Sequence, residues 1–281
     1  MTLSLAYLGP TGTNSETVAL AYANWLAQNH QQETVLSPYP TIALAAKAVA
    51  NQEVDLAVVP VENSIEGSVA ITLDTLWQLE QLKIIQSLVL PISHALLSCS
   101  LSLQEIKTVY SHPQALGQCQ QWLEQFVPSA KLIPTNSTTE ALQYLTDEPT
   151  SAAIASPRAA KLYNLPILAD HINDYPDNCT RFWVLSLNPT TKGSYLSLAF
   201  SLSENAPGAL VKPLHIFANQ GINLSKIESR PTKRSLGEYI FFIDIESNIC
   251  NASLKTVLSE LSEYTEVLKI FGNYDLLTVQ L

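Results

Sequence analysis

The sequence predicts an α/β protein in two parts, a large unit of alternating strands and helices followed by a small ferredoxin-like βαββαβ unit. Three observations predict it. From Ser4 to Leu187, short apolar runs alternate with helical patterns, which indicates a mostly parallel sheet. Asn188–Ser194 (NPTTKGS) is rich in Pro, Gly and polar residues and reads as a linker. From residue 195 to 281 the order becomes strand, helix, strand, strand, helix, strand.

Each element has its own warrant. Ser4–Leu8 reads as a short buried strand and 9–14 as a turn. Ser15 can cap a helix to about Gln28, with Val18, Tyr22, Trp25 and Leu26 at helical spacing. Thr34–Pro38 fits a strand, and Thr41 caps an Ala-rich helix to about Asn51. Asp55–Val61 is a continuous apolar run, as expected of a strand covered on both faces. A helix over 71–79, strands over 83–91 and 93–98, a short helix from Ser102 and a strand over 107–110 follow. Pro113 at a first helical position predicts a helix to Phe126. A strand over 131–135, a helix capped by Ser137 or Thr138, a strand over 151–155, a helix from Pro157 and a strand over 180–187 complete the first part. In the second part, strands are expected at 195–202, 222–230, 238–246 and 267–271, with helices at 208–219 and 251–264.

Composition narrows the function. A net charge of −10 repels nucleic acid and anionic membrane, so neither is expected as a partner. No apolar stretch approaches the ~20 residues of a membrane span, and the first residues carry no basic leader, so a cytoplasmic protein is expected. Cys99, Cys119, Cys179 and Cys250 lie far apart, and no HxxH or HExxH occurs. Neither a disulfide framework nor a metal site is expected.

Four segments fall where strands should end, the position at which open α/β sheets bind ligands. Gly9-Pro10-Thr11-Gly12-Thr13-Asn14-Ser15-Glu16 combines closely spaced glycines with a helix start, either to approach an anion or simply to turn the chain. Pro60-Val61-Glu62-Asn63-Ser64-Ile65-Glu66-Gly67 packs acceptors, donors and a potential acid or base into one loop, or is a solvated loop. Ser111-His112-Pro113-Gln114-Ala115-Leu116 aims a helix N-terminus at the same region, with His112 alternatively a capping residue. Asn178-Cys179-Thr180-Arg181-Phe182 opens an apolar strand. Arg181 is one of four arginines in the chain, the others being Arg158, Arg230 and Arg234. It suits either a bidentate carboxylate contact or a structural ion pair.

These four blocks, in this order, resemble the signature blocks of prephenate dehydratases. The run from Gly208 to Pro231 resembles the phenylalanine-binding ACT domain that is fused to them. One departure is Asn14, which stands where an aromatic residue is common. The resemblance implies a two-lobed catalytic domain over 1–187, similar to periplasmic binding proteins, with a second lobe at about 80–175, and an ACT domain over 195–281. It implies decarboxylative dehydration of prephenate to phenylpyruvate in phenylalanine biosynthesis, without metal or cofactor. By the same resemblance Thr180 is the acid, Arg181 a carboxylate clamp and Glu62 an assistant. Thr11, Asn63, Ser64, Ser111, His112, Gln114, Ala115 and Phe182 would then contact substrate. Phenylalanine would bind among Asn205, Gly208, Ala209, Leu210, Asn223, Leu224, Glu228 and Ser229 in a homo-oligomer joined through ACT domains. Two other readings stay open: an arogenate dehydratase, and a non-catalytic amino-acid sensor, for which a proton donor at Thr180 would have no use.

Overall fold

The computed structural model describes residues 2–145, 149–190, 192–246 and 251–279. Cys250 and Thr191 of the linker lie outside these residues. The first sheet begins with β1 (Leu3–Leu8), β2 (Thr34–Tyr39) and β3 (Leu56–Asn63), all parallel. Helices α1 (Asn14–His30) and α2 (Ile42–Ala50) connect them, and each starts on a threonine. The Thr13 hydroxyl accepts from Glu16 N and the Thr41 hydroxyl from Leu44 N. The cap of α1 is thus Thr13 rather than Ser15. The continuous apolar run of β3 is buried on both faces.

A two-residue strand, β4 (Gly67–Ser68), folds back on β3, and α3 (Ala70–Gln78) leads to β5 (Lys83–Pro91). Here the structure departs from the expected lobe boundary. β5 stays in the first sheet, so the chain crosses to the second lobe only after Ile92, not near residue 80.

The second lobe is built on β6 (Ala95–Leu97), β7 (Thr108–Ser111), β8 (Lys131–Pro134), β9 (Ser151–Ala155) and β10 (Ile167–Ala169), in spatial order β10-β6-β9-β7-β8. Its helices are α4 (Pro113–Gln118), α5 (Gln120–Phe126) and α6 (Pro157–Leu162). The helix expected as one piece over 113–126 breaks at Cys119, whose backbone leaves helical geometry at φ −123°. The helix expected after Ser137 is a short 3₁₀ segment, Glu140–Leu145.

The chain returns through β11 (Cys179–Ser186), which runs antiparallel between β3 and β5. The first sheet is therefore mixed, not mostly parallel. The two crossings lie side by side: Ile92 N donates to Asn178 O at 2.8 Å and Ile172 N to His94 O at 3.0 Å.

The second part contains β12 (Tyr195–Leu202), α7 (Val211–Asn219), β13 (Leu224–Pro231), β14 (Tyr239–Glu246), α8 (Asn251–Ser262) and β15 (Thr265–Tyr274). This is the expected βαββαβ order, with strands arranged β13-β14-β12-β15. One face of its sheet (Leu196, Leu198, Phe200, Ile243, Ile245) packs on α7 and α8 through Ile216, Phe217, Val257 and Leu261. The other face (Ala199, Ile240, Phe242, Phe271, Tyr274) joins a core with Val59, Val61, Leu73, Leu76 and Trp183 of the first part. The two parts thus share one apolar core. A last strand, β16 (Leu276–Thr278), returns to the first sheet and pairs parallel to β5.

Candidate active site

A cavity of about 560 Å³ lies between the lobes where the strands of the first sheet end. That volume is in the range of small-molecule sites. Its walls come from the 8–15 turn, from Asn63 at the end of β3, from Ile92 and His94 at the crossing, from α4, from residues 136–140 and from Thr180 at the start of β11.

Thr180 and Asn63 are paired across β11 and β3. The Asn63 amide lies 3.0 Å from Thr180 Oγ1, 2.8 Å from Asn178 Oδ1 and 3.2 Å from Cys179 O. Asn63 Oδ1 accepts the backbone N–H groups of Ile65 (3.0 Å) and Glu66 (3.1 Å). The loop after β3 therefore fixes Asn63, and Asn63 fixes the threonine hydroxyl. Behind them, Asn178 Nδ2 donates to Gln118 Oε1 at 2.9 Å, and His94 Nε2 lies 2.9 Å from the same oxygen. All four polar side chains, Asn63, His94, Gln118 and Asn178, are buried. Burial pushes the His94 pKa below 6.5, and its bond to Gln118 only partly opposes this, so the ring is neutral near pH 7.

Of the candidate substrate contacts, Asn63, His112, Gln114, Ala115 and Thr180 line this cavity together. The others are placed elsewhere. Ser111 is fully buried at the end of β7 and donates to Ile154 O at 2.7 Å; the cap of α4 is His112, whose Nδ1 accepts from Gln114 N. Ser64 accepts from Cys179 N at 3.0 Å and holds the loop to β11. Thr11 is hydrogen-bonded to the Tyr7 hydroxyl. Phe182 is 1% exposed, in the core under α1.

Arg181 and Glu62 also leave the cleft. Strand side chains alternate, so Arg181 shares the face of Trp183 rather than that of Thr180. Its guanidinium reaches Asp244 Oδ2 at 2.5 Å on β14 and Glu62 Oε2 at 2.9 Å. The carboxylates that occupy its fork belong to the protein, so in this structure it is not a substrate clamp. Burial opposes its charge, but Asp244, Tyr274 and Glu62 outweigh that and raise its pKa. Lys226 Nζ lies 3.5 Å from Glu62 Oε1, and its pKa is lowered, first by burial. Asp244 also accepts from the Ser197 hydroxyl.

The lobes touch directly beside the cavity. Glu16 on α1 accepts Gly12 N–H at 2.8 Å and pairs with Arg158 on α6 at 2.7 Å. At Gly12, with φ +87°, a Cβ would come within 2.9 Å of Thr139 of the other lobe. The turn therefore needs glycine for conformation and for room.

In the second part, the candidate effector residues do not converge on one cluster. Gly208, Ala209 and Leu210 form the turn into α7, with Gly208 at φ +83°. Asn205 donates to Gly237 O at 3.0 Å, and Asn223 bonds Glu246. Leu224 and Ser229 lie on β13, the outer strand of its sheet. Glu228 turns the other way and accepts from Ser68 of the first part at 3.2 Å, so it does not stand free for an ammonium group. Lys226 and Arg230, on the same face of β13, contact Glu62 and Asp74.

Sequence reasoning missed His94 and Gln118 as parts of the site and gave Asn178, the first residue of the fourth segment, no role. Gln118 stands four residues after Gln114, on the same helix face, which was a usable signal. His94 had none, because only the crossing of two distant segments brings it to the cleft floor. Among the described residues no group of three or more His, Cys, Asp or Glu is placed to hold a metal, and no helix is long and apolar enough to cross a membrane.

The geometry agrees with three comparisons. The family model for prephenate dehydratase matches residues 5–190, and that for the ACT domain residues 197–263. A prephenate dehydratase of Lactococcus lactis subsp. cremoris is 38% identical over 97% of both chains. One of Methanocaldococcus jannaschii is 37% identical over 98% of both. The crystal structure of an Arthrobacter aurescens prephenate dehydratase in complex with L-Phe superposes with a TM-score of 0.84 at 33% identity, covering 97% of this chain and 90% of that one.

Proposed function

Because the chain belongs to the prephenate dehydratase family and carries an ACT domain, we propose that the inter-lobe cleft converts prephenate to phenylpyruvate and that phenylalanine regulates it. The observation that carries this reading is Thr180 Oγ1, held by Asn63 on the polar floor of the inter-lobe cavity.

In the reaction, prephenate loses carbon dioxide from C1 and hydroxide from C4, and the ring becomes aromatic. Aromatisation drives the reaction, and the poor leaving group sets the difficulty. Thr180 supplies a polarised hydrogen bond to the departing oxygen. General acid help of this kind contributes ~10²–10⁴-fold. Asn63 keeps the hydroxyl aimed, and Gln114 and the start of α4 offer neutral donors to the substrate's carboxylates. Arg181 works behind the strand, joining it to the second part.

The ACT domain offers its outer strand β13 for edge-to-edge pairing with a second copy, which would also cover that unpaired edge. In this reading phenylalanine binds at the seam, near the turn at Gly208 and the outward-facing Ser229. Work in the cytoplasm fits an acidic chain of this family. The test is phenylpyruvate formation from prephenate, followed by absorbance, with and without phenylalanine and with arogenate as a competing substrate. Absence of product from prephenate refutes the catalytic reading. A preference for arogenate selects the sister reaction.

A further inference from the structure

The hydrogen bonds at the cleft floor determine the tautomer of His94, and the tautomer determines what the histidine can recognise. Backbone groups have a fixed polarity: N–H donates and C=O accepts. Ile65 N and Glu66 N both donate to one Asn63 side-chain atom, so that atom is the oxygen and the other is the amide nitrogen. The Asn63 nitrogen faces Asn178 Oδ1 at 2.8 Å, which must therefore accept. The remaining Asn178 atom is then a nitrogen, and it donates to Gln118 at 2.9 Å. The receiving Gln118 atom is an oxygen, so the His94 Nε2 that lies 2.9 Å from it must carry the hydrogen. A neutral imidazole has one N–H, which leaves Nδ1 with a bare lone pair. Among the described residues no hydrogen bond to His94 Nδ1 occurs, and the ring lines the cavity together with Thr180.

We propose that His94 contacts the substrate, with Nδ1 accepting a hydrogen bond from the ring hydroxyl that the reaction expels. The proposal rests on the prephenate reading. At neutral pH prephenate has two carboxylates and a keto group, which only accept, and one hydroxyl, which is its sole donor. A neutral acceptor on the wall of the cavity therefore has one possible match. With its hydrogen turned toward His94, the hydroxyl oxygen presents a lone pair to Thr180 Oγ1. His94 sets the orientation and takes no proton. The hydroxide expelled when the C4–O bond breaks stays within reach of both groups and takes a proton from solvent to become water.

The ring nitrogens can be replaced one at a time. Asparagine puts a polar atom near the place of Nδ1, and glutamine near that of Nε2. If His94 serves the substrate, H94N keeps kcat/KM within about threefold, while H94Q loses roughly tenfold, the scale of one hydrogen bond. If His94 only braces Gln118, the order reverses. That reversal, equal retention or equal loss each overturns the proposal. Thermal unfolding of both variants checks that each is folded. A ¹⁵N spectrum of the wild-type histidines gives a second readout independent of activity: hydrogen on Nδ1 of His94 rather than on Nε2 overturns the proposal by itself. Failure of the wild type to form phenylpyruvate would instead count against the prephenate reading, and the two failures are thus distinct.

Discussion

Thr180 and Arg181 are adjacent on one strand and face opposite ways, the hydroxyl into the cleft and the guanidinium into the seam with the C-terminal domain, 2.5 Å from Asp244. A single step along β11 therefore separates the cleft from the attachment of the ACT domain. The two residues should fail differently when changed.

Thr180→Val removes the hydroxyl and keeps the shape. The expected result is a fall in kcat of ~10²-fold or more, with KM little changed. Steady-state kinetics with prephenate decide it, and near-normal turnover would remove Thr180 from the acid role.

Arg181 and Asp244 form a buried pair, with side chains 14% and 4% exposed. Asp244→Ala leaves the guanidinium without its main partner, and a broken buried pair costs about 3–5 kcal/mol. Denaturant unfolding should show that loss, and kcat should fall more than KM rises. Arg181→Lys should follow the same pattern. A rise in KM alone would restore the substrate-clamp role that the sequence suggested.

His94 gives stability a pH dependence of known sign. Its pKa lies below 6.5 in the folded protein and near 6.5 once unfolded. The unfolded chain therefore binds the proton more readily, and stability falls as pH drops below about 6.5. His112 is shifted in the same direction by burial, so the comparison must be with a variant. Urea unfolding between about pH 7.5 and about pH 5.5 should show a smaller loss for H94N than for wild type. Parallel curves would contradict the assignment.

The Glu16–Arg158 pair joins the two lobes beside the cavity. Arg158→Ala should favour the open cleft and raise KM several-fold, about the effect of 1 kcal/mol, with kcat less affected. The pair is partly exposed, so added salt should raise the wild-type KM toward that of the variant. A salt-insensitive KM would argue against a latch.

For the effector, calorimetric titration should show phenylalanine binding to the wild type. It should be abolished by Gly208→Val, because φ +83° does not suit a β-branched residue. Ser229→Ala should weaken it, and basal activity should survive both changes. Coupling between the two sites is expected at about 1–3 kcal/mol. No binding to the wild type would refute the regulatory reading and leave the catalytic one intact.

Periodicity made the β1–β3 strands, the first two helices and the βαββαβ order legible in the sequence. The blocks around Asn63, His112–Ala115 and Thr180 marked three walls of the cleft. What was not legible depends on direction and on distance along the chain. The faces of β11 and β13 could not be told apart until the packing partner of each was known, so Arg181, Glu62 and Glu228 were placed in binding sites that they do not enter. β5 reads as a strand either way, and its pairing with β11 and β16 keeps it in the first lobe. The polar floor joins residues 63, 94, 118 and 178, which no local pattern connects.

The strand Leu276–Thr278 closes the edge of the first sheet beside β5, and this bears on how the chain is made. Domains fold in order as they emerge from the ribosome. Here the N-terminal sheet is complete only once β16, which follows the ACT domain's last strand, has been made. Until then β5 offers an unpaired edge, of the kind that invites association with other chains, and the apolar face around Val61, Leu76 and Trp183 lacks its cover. The segment that follows β15 thus covers an edge that residues 1–187 alone leave open. A nascent chain halted near residue 190 should be the aggregation-prone form.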